Sequence, residues 1–309
     1  MLKYPKRGAI FMNTFSRGSR VCFVGDSITH NNRYVAHIAA FYREHFPELS
    51  VEFYNCGISG GSLTSALNTF NADTAAYKPT HIVLMVGIND SDRNALNEDS
   101  GSKYDRLKRA FDNYKINLDE FCKKVRKINA GLTLCTPTPY AEYINSAEPP
   151  LRGGSALMLG YADYIKNYAK ENGYPLCDYN SYITCAMQTE TLYNPDRVHP
   201  TPRGHYYIAK CFLEFQGLDP DAEKDLPPDI EKWHNTVGKY RDLFAAEYMI
   251  IHDFAKRTEE NIETVKKFLS DSAKGNSNNY LVSLARGYLE NKPKEKEIRK
   301  YLIDFMKNQ

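Results

Sequence analysis

Five short, nearly continuous apolar runs alternate with helix-like stretches along the first two thirds of the chain. The runs are RVCFVGD (20–26), SVEFYNCG (50–57), HIVLMVG (81–87), GLTLCTP (131–137) and YPLCDY (174–179). Continuous apolar character is typical of strands that are covered on both faces. Helices are predicted between and after these runs, near 32–46, 62–76, 104–129, 155–172 and 203–215. Strands that alternate with helices form a parallel sheet through right-handed crossovers, so we expect an α/β fold, a three-layer α/β/α sandwich around a five-stranded parallel sheet.

The sequence changes in character after about residue 216. The segment GLDPDAEKDLPPDIEKW (217–233) is rich in acidic residues and proline and is typical of a connector. From residue 229 onward the pattern is helical, and no further strand-like run follows. We therefore predict a first domain over 1–216 and an α-helical C-terminal extension over 217–309. The helices of the extension could also mediate a homo-oligomer.

Composition excludes several classes of protein. The 309 residues carry a formal net charge of only +2, which gives no electrostatic reason to expect a nucleic-acid partner. No apolar run approaches the roughly 18 residues that a membrane span needs, and the N-terminus has no apolar core of signal-peptide length. The seven cysteines are scattered and form no CxxC pair. We therefore expect a cytoplasmic protein without a disulfide framework, a metal or a cofactor.

Small and polar residues follow three of the apolar runs, where ligands bind in sheets of this kind. They are the Gly-Asp-Ser of 25–27, the glycines of NCGISGGS (55–62) and the asparagine of VGINDSD (86–92). Each has an ordinary structural interpretation as a helix cap, a tight turn or a turn-forming side chain. Further along, YNPDRVHPTPRGHYYIA (193–209) places Asp196 three residues before His199. A serine hydrolase needs such a base and such a carboxylate.

The combination of these segments resembles the SGNH subgroup of the GDSL hydrolases. GDSIT, NCGISG, GIND and DRVH occur in the order of that family, over roughly residues 19 to 215. The resemblance implies a flavodoxin-like fold, with Ser27 as the nucleophile, His199 as the general base and Asp196 as the group that orients the imidazole. Ile28 stands where the family motif has leucine, which is a small departure between branched apolar side chains.

The same resemblance implies an oxyanion hole. Its donors would be the backbone N–H groups of Ser27 and Gly60 and the side-chain amide of Asn89. Gly60 is preferred to Gly57 because the family's glycine follows the serine of the N-x-x-x-S-G arrangement. Ser27, at the predicted start of a helix, would serve as both cap and nucleophile. The chain lacks Gly-x-Ser-x-Gly, which argues against the other common α/β hydrolase family.

The resemblance implies a serine esterase that works through an acyl-enzyme, on a small-molecule or oligosaccharide ester. The loops SDRNALNEDSGSKYD (91–105) and TPYAEYINSAEPPLRGGSALM (138–158) are expected at the mouth of the site; they are polar and offer no apolar groove for a long acyl chain. We therefore favour a deacetylase of an O-acetylated carbohydrate. A lysophospholipase or acyl thioesterase is the first alternative, with YMIIHDF (248–254) and YLIDFM (301–306) covering an acyl pocket. A non-catalytic binding protein on the same fold is the second.

Overall fold

A computed structural model describes residues 14–98, 101–220, 222–223, 225–248, 261–274 and 280–307 of the chain. Residues up to Pro227 form one compact unit, and residues from Pro228 onward form a second. This division lies a few residues after the predicted domain boundary at 216/217, so that most of the predicted connector belongs to the first unit.

The first unit is built around a five-stranded sheet in which every paired strand is parallel. Its order is β2-β1-β3-β4-β5, with strands β1 (Arg20–Gly25), β2 (Glu52–Gly57), β3 (His81–Met85), β4 (Gly131–Cys135) and β5 (Leu176–Cys177). All five strands lie within the predicted apolar runs, and the predicted fold class is confirmed. Because β1 lies between β2 and β3, its last residue Gly25 pairs with Gly57 of β2 on one side and Met85 of β3 on the other.

Seven α-helices accompany the sheet in the described part of this unit: α1 (Ser27–His30), α2 (Arg33–His45), α3 (Leu63–Thr69), α4 (Lys103–Lys127), α5 (Gly154–Asn172), α6 (Tyr179–Ala186) and α7 (Pro202–Phe215). Short 3-10 helices occur at Pro47–Leu49, Ala75–Tyr77 and Arg93–Asn97. Helix α2 packs against α7, and α3 packs against α4. With right-handed crossovers, these two pairs lie on opposite faces of the sheet, which gives the three layers.

The core explains why the apolar runs are continuous. The side chains of Val21, Cys22 and Phe23 are fully buried, although successive residues of a strand point to opposite faces. Phe23 contacts Tyr34 of α2 and Phe212 of α7, with ring centroids 5.8 Å and 5.7 Å away. Helices α2 and α7 therefore cover the face of β1 that carries Phe23, and α3, which also packs against β1, covers the opposite face. Neither face admits polar side chains along the strand.

Two helices differ from the sequence prediction for local reasons. Helix α3 ends at Thr69 rather than near residue 76, because the Thr69 hydroxyl donates to the Ser65 carbonyl and the following Asn71 and Asp73 favour turns over helix. The helix start predicted at Ser27 belongs to a separate single turn, α1, which ends before α2 begins. This separation was not predicted, since a turn of four residues produces no detectable periodicity.

The described residues of the second unit contain helices α8 (Pro228–Ala245), α9 (Ile262–Ala273), α10 (Tyr280–Asn291) and α11 (Glu295–Lys307), with a 3-10 turn at Lys292–Lys294. Trp233 of α8 stacks on Phe305 of α11 with ring centroids 5.4 Å apart and is buried. The helical extension predicted from the sequence is present. None of the helices in the described ranges combines the length and the apolar character that crossing a membrane requires.

Candidate active site

The predicted site residues follow strands that are neighbours in the sheet. Ser27 comes two residues after β1, Gly60 three residues after β2 and Asn89 four residues after β3. Because β1 lies between β2 and β3 and all three are parallel, their carboxyl ends meet at one edge of the sheet. The topology therefore brings these three predicted residues to the same edge.

Ser27 is the first residue of α1, and Asp26 is the residue that caps this helix. The Asp26 carboxylate accepts a hydrogen bond from the backbone N–H of Ile28 at 3.0 Å. The expectation that Ser27 itself is the cap was therefore wrong. Since Asp26 performs the capping, the Ser27 hydroxyl is free to interact with another part of the chain.

A chain of hydrogen bonds connects Ser27, His199 and Asp196. The Ser27 Oγ lies 2.8 Å from His199 Nε2, and His199 Nδ1 lies 2.6 Å from Asp196 Oδ2. A carboxylate only accepts, so the Nδ1 proton points to Asp196 and Nε2 is left as an acceptor for the serine O–H. This arrangement allows the imidazole to take the serine proton.

The loop that carries Asp196 and His199 holds the carboxylate in place from within. Asp196 Oδ1 accepts the backbone N–H groups of His199 at 2.9 Å and Val198 at 3.0 Å. Partial burial raises the pKa of Asp196, but the hydrogen bonds from His199 and Val198 outweigh this effect and leave the pKa below its usual value. Asp196 is therefore ionised wherever the imidazole is neutral, and it favours the tautomer described above.

The turn after β2 and the loop after β3 are joined by a hydrogen bond. The N–H of Gly61 donates to the Ile58 carbonyl at 2.8 Å, and Gly60 occupies the third position of this turn with φ +72°, which favours glycine. Asn89 Nδ2 donates to the Gly61 carbonyl at 2.8 Å. Besides Ser27, the residues predicted for the oxyanion hole are Gly60 and Asn89. The bond from Asn89 to Gly61 thus holds the two close to each other.

Gly57, which the sequence analysis set aside, has a different role. A Cβ atom at this position would lie 2.3 Å from the backbone nitrogen of His30. Glycine therefore lets α1 approach the end of β2 closely, and His30 in turn accepts the Ser59 N–H on its Nδ1 at 3.1 Å. These contacts place α1, with Ser27, against the Gly60 turn.

Sequence reasoning assigned no role to two buried carboxyl groups in the same motifs. Burial raises the pKa of Asp26 to about 6, against the Ile28 N–H and the nearby charges of His199 and Arg93. Burial raises the pKa of Asp90 to about 7, against the hydrogen bond that its Oδ1 accepts from the Leu63 N–H at 2.9 Å. The signal was present in GDSIT and GIND, where each aspartate adjoins a predicted site residue.

Arg197 is a third residue that the sequence analysis missed, although it stands inside the quoted DRVH. It adopts φ +66° between Asp196 and Val198, and its side chain is buried. Its guanidinium donates to the backbone carbonyls of five residues in the loop after β4: Ala141, Glu142, Ile144, Ser146 and Glu148. Arg197 therefore fastens that loop to the segment that carries Asp196 and His199.

The donor set of this site is suited to proton transfer rather than to metal binding. In the described ranges, no group of three or more histidine, cysteine, aspartate or glutamate side chains is arranged to hold a metal ion. Proton transfer at this site needs only the side chains and backbone groups of this chain.

Comparison with known proteins identifies the family. The model of the GDSL-like Lipase/Acylhydrolase family matches residues 23–207, which is more than half of the chain. The chain belongs to this family, as its motifs predicted, and it is a serine ester hydrolase. An acetylxylan esterase from Geobacillus stearothermophilus is 28% identical over 221 residues, which cover 65% of this chain and 95% of that protein.

Solved structures support the same assignment. The crystal structure of the G. stearothermophilus acetylxylan esterase Axe2 has a TM-score of 0.55 at 26% identity and covers 68% of this chain and 99% of its own. A gut microbial diltiazem-metabolizing enzyme has a TM-score of 0.78 at 16% identity, with 95% of this chain and 94% of that chain covered. The second likeness extends over both units and concerns the fold alone.

Proposed function

We propose that this protein removes acetyl groups from O-acetylated carbohydrates, with Ser27 as the nucleophile of an acyl-enzyme mechanism. The observation that carries the proposal is the hydrogen-bonded chain from Ser27 Oγ through His199 to Asp196, at the carboxyl edge of the sheet. The serine hydroxyl alone is a weak nucleophile, and an adjacent oriented base is what activates it.

The first half of the reaction forms the acyl-enzyme. Ser27 Oγ attacks the ester carbonyl carbon while His199 Nε2 takes the hydroxyl proton. The negative charge that develops on the carbonyl oxygen is stabilised by the N–H groups of Ser27 and Gly60 and by the amide of Asn89. His199 then gives its proton to the departing alcohol oxygen, the carbon–oxygen bond of the ester breaks, and the acetyl group remains on Ser27.

The second half returns the enzyme to its starting state. A water molecule loses a proton to His199 Nε2 and attacks the acetyl carbonyl carbon. When the tetrahedral intermediate collapses, the bond to Ser27 Oγ breaks and the imidazole returns the proton to the serine oxygen. The products are acetic acid and the free alcohol, and Asp196 remains ionised throughout.

Two observations support a carbohydrate acetyl ester as the substrate. The relative that is 28% identical is an acetylxylan esterase, and an Axe2 structure at 26% identity is described as an acetyl-xylooligosaccharide esterase. Catalytic mutants of Axe2 replace a serine, an aspartate and a histidine, and the last two are three positions apart, like Asp196 and His199. The His199 side chain is 40% exposed, so the site is open to a bulky polar alcohol.

The competing lipid and thioester function depends on apolar segments of the C-terminal extension. Of these, YMIIHDF lies outside the described residues after position 248. YLIDFM belongs to α11, where Phe305 packs on Trp233 of the same unit. In the part of the extension that the structure describes, no observation therefore favours the alternative.

The test is hydrolysis of p-nitrophenyl esters from acetyl to dodecanoyl, together with acetate release from acetylated xylo-oligosaccharides. Ser27→Ala serves as the blank. We expect activity on the acetyl ester and on the sugar, falling steeply with acyl length and lost in the variant. A preference for long chains would overturn the substrate proposal in favour of a lipase or thioesterase. Ester hydrolysis that survives in Ser27→Ala would overturn the mechanism.

A further inference from the structure

A cavity of about 500 Å³ lies beside the loop that follows β4. We refer to residues 138–153 as the β4 loop. The cavity is bordered by this loop and by helices α5 and α6. Its lining combines apolar side chains with amides: Tyr143, Ile144, Leu159, Met187, Asn180 and Gln188. Its volume falls in the range of small-molecule sites, roughly 300–1,000 Å³. Residues 138–158 were expected at the mouth of the site, but no sequence pattern predicts the cavity itself, because its lining comes from three separate segments.

The β4 loop is hydrogen-bonded to the segment that carries Asp196 and His199. Arg197 donates to the carbonyls of Ile144 at 2.7 Å and Glu142 at 3.0 Å, among five such bonds. The Ala141 N–H donates to the Arg197 carbonyl at 2.9 Å, and the Ser146 hydroxyl donates to the Pro195 carbonyl at 2.6 Å. The cavity wall is therefore bonded directly to the segment that carries Asp196 and His199.

A second anchor holds the other side of the loop. The carboxylate of Glu142 accepts the N–H of Gly153 at 2.8 Å and that of Ser155 at 3.0 Å, at the start of α5. Residue 143 thus lies between an anchor to α5 and an anchor to Arg197. The backbone here has no regular secondary structure, but it is fixed before any ligand arrives, which reduces the entropy cost of binding.

Tyr143 is the exposed feature on this fixed segment. Its side chain is 87% exposed, and Leu159 opposite it on α5 is 48% exposed. A tyrosine presents a large apolar face and a hydroxyl that hydrogen-bonds, so an exposed tyrosine on a fixed segment can both pack on a ligand and bond to it. Exposure of both residues also shows that the cavity is open to solvent rather than closed like a pocket for a long acyl chain.

The position of the cavity fits a group beyond the reacting ester. Strand β4 is separated from β1 by β3, and neighbouring strands are about 4.8 Å apart, so the ends of β1 and β4 lie about 10 Å from each other. A group attached to the alcohol oxygen of the ester would reach this distance when the ester carbonyl lies at Ser27.

We propose that the cavity binds a sugar residue of the alcohol portion of the substrate, next to the acetylated sugar. The C–H face of the sugar ring would pack on Tyr143 and Leu159, and its hydroxyls would hydrogen-bond to the amide of Gln188. This inference rests on the proposed deacetylase function and names the part of the site that would select an oligosaccharide over a simple acetate ester.

The experiment compares two substrates of the full-length protein. We measure kcat/KM for monoacetylated xylotriose and for p-nitrophenyl acetate, whose small alcohol cannot reach the cavity, in the wild type, Tyr143→Ala and Leu159→Ala. We expect the ratio of the two values, sugar over p-nitrophenyl ester, to fall about 3- to 10-fold in each variant through a higher KM for the sugar. Tyr174→Ala is the matched control, because Tyr174 precedes β5 and therefore lies at the opposite edge of the sheet. Its ratio stays at the wild-type value.

Calorimetric titration with unacetylated xylotriose separates failure of the cavity from failure of the proposed function. We expect wild type and Ser27→Ala to bind xylotriose, and Tyr143→Ala to bind it more weakly by the same factor. If the wild type hydrolyses p-nitrophenyl acetate but releases no acetate from sugars, the deacetylase function fails. The sugar site itself is overturned by absence of xylotriose binding or by an unchanged ratio in both cavity variants. The same variants are also assayed on p-nitrophenyl octanoate, and a loss of activity on that ester alone would make the cavity an acyl pocket and overturn the proposal.

Discussion

Asn89 uses one amide hydrogen to hold the Gly61 carbonyl at 2.8 Å, and a primary amide has a second hydrogen to offer. The bond to Gly61 fixes the direction of that second N–H before substrate binds. Donors that are oriented in advance stabilise the transition state without reorganisation. We therefore propose that Asn89 both supports the Gly60 turn and stabilises the oxyanion directly.

We expect Asn89→Ala to lower kcat by about 10²- to 10³-fold and to change KM much less, since the lost bond is made mainly in the transition state. Steady-state kinetics on p-nitrophenyl acetate measures both values. Asn117→Ala is the control, because the Asn117 amide bonds to Thr64 on the exposed surface. An unchanged kcat in Asn89→Ala would remove this residue from the oxyanion hole.

The raised pKa of Asp26 predicts that the stability of the folded protein depends on pH. Its pKa is 3.8 when unperturbed and about 6 in the folded protein, so the folded state holds the proton more tightly. The free energy of unfolding therefore falls through Asp26 as the pH rises from about 4 to about 6, and above this range the contribution of Asp26 stays level. Asparagine keeps the side-chain oxygen that caps α1 but cannot ionise.

We expect Asp26→Asn to gain stability relative to the wild type across this pH range, by up to about 3 kcal/mol above pH 6. Urea unfolding of both proteins at pH 4 and pH 7.5, followed by circular dichroism, gives the difference at each pH. A difference that is the same at both pH values would show that Asp26 does not titrate in this way.

At the scale of elements, the loop of 193–200 and the β4 loop depend on one another through Arg197. The guanidinium satisfies five carbonyls that no helix or strand satisfies, and buried carbonyls without donors are costly. Its backbone at φ +66° also turns the chain so that Asp196 faces back toward His199. Arg197 is thus a positioning residue for the proposed catalytic pair.

We expect Arg197→Met to lower the free energy of unfolding by about 2–4 kcal/mol and to reduce kcat more than it raises KM for p-nitrophenyl acetate. Arg197→Lys should recover only part of both effects, because an ammonium group cannot reach carbonyls spread along the loop as the planar guanidinium does. Thermal unfolding and steady-state kinetics provide the readouts. Wild-type kinetics in a destabilised Arg197→Met protein would restrict the residue to a structural role.

The elements also show what the sequence could predict. Strands β1 to β5 were predicted because helices cover both faces of the sheet and leave the apolar runs uninterrupted. The site blocks were predicted because parallel strands bring their ends to one edge. The single turn of α1 has too few residues for a pattern. The bonds from Arg197 and the cavity beside the β4 loop join segments far apart in sequence, and only the folded chain brings them together.

At the scale of the whole molecule, a comparison with a shorter relative indicates which of the two units ester hydrolysis requires. The acetylxylan esterase from G. stearothermophilus matches over 95% of its own length but only 65% of this chain. The matched part of this chain is thus no longer than the first unit, which ends at Pro227. The predicted roles of the C-terminal helices in self-association stay predictions.

We expect a chain that ends at Pro227 to fold and to hydrolyse p-nitrophenyl acetate with a kcat/KM comparable to that of the full-length protein. The reason is that all proposed catalytic residues, with every hydrogen bond described for them, belong to the first unit. Circular dichroism checks folding, and the same truncation with Ser27→Ala is the blank. A folded truncated protein without activity would assign the second unit a part in catalysis.

We propose that Ser27, activated by His199 and Asp196, forms a covalent acyl-enzyme. The first experiment is reaction of the full-length protein with a fluorophosphonate, which traps activated serines, followed by peptide mass spectrometry. We expect one adduct on the peptide that contains Ser27, absent in Ser27→Ala and formed far more slowly in His199→Ala. No adduct, or an adduct on another residue that persists in Ser27→Ala, would contradict it.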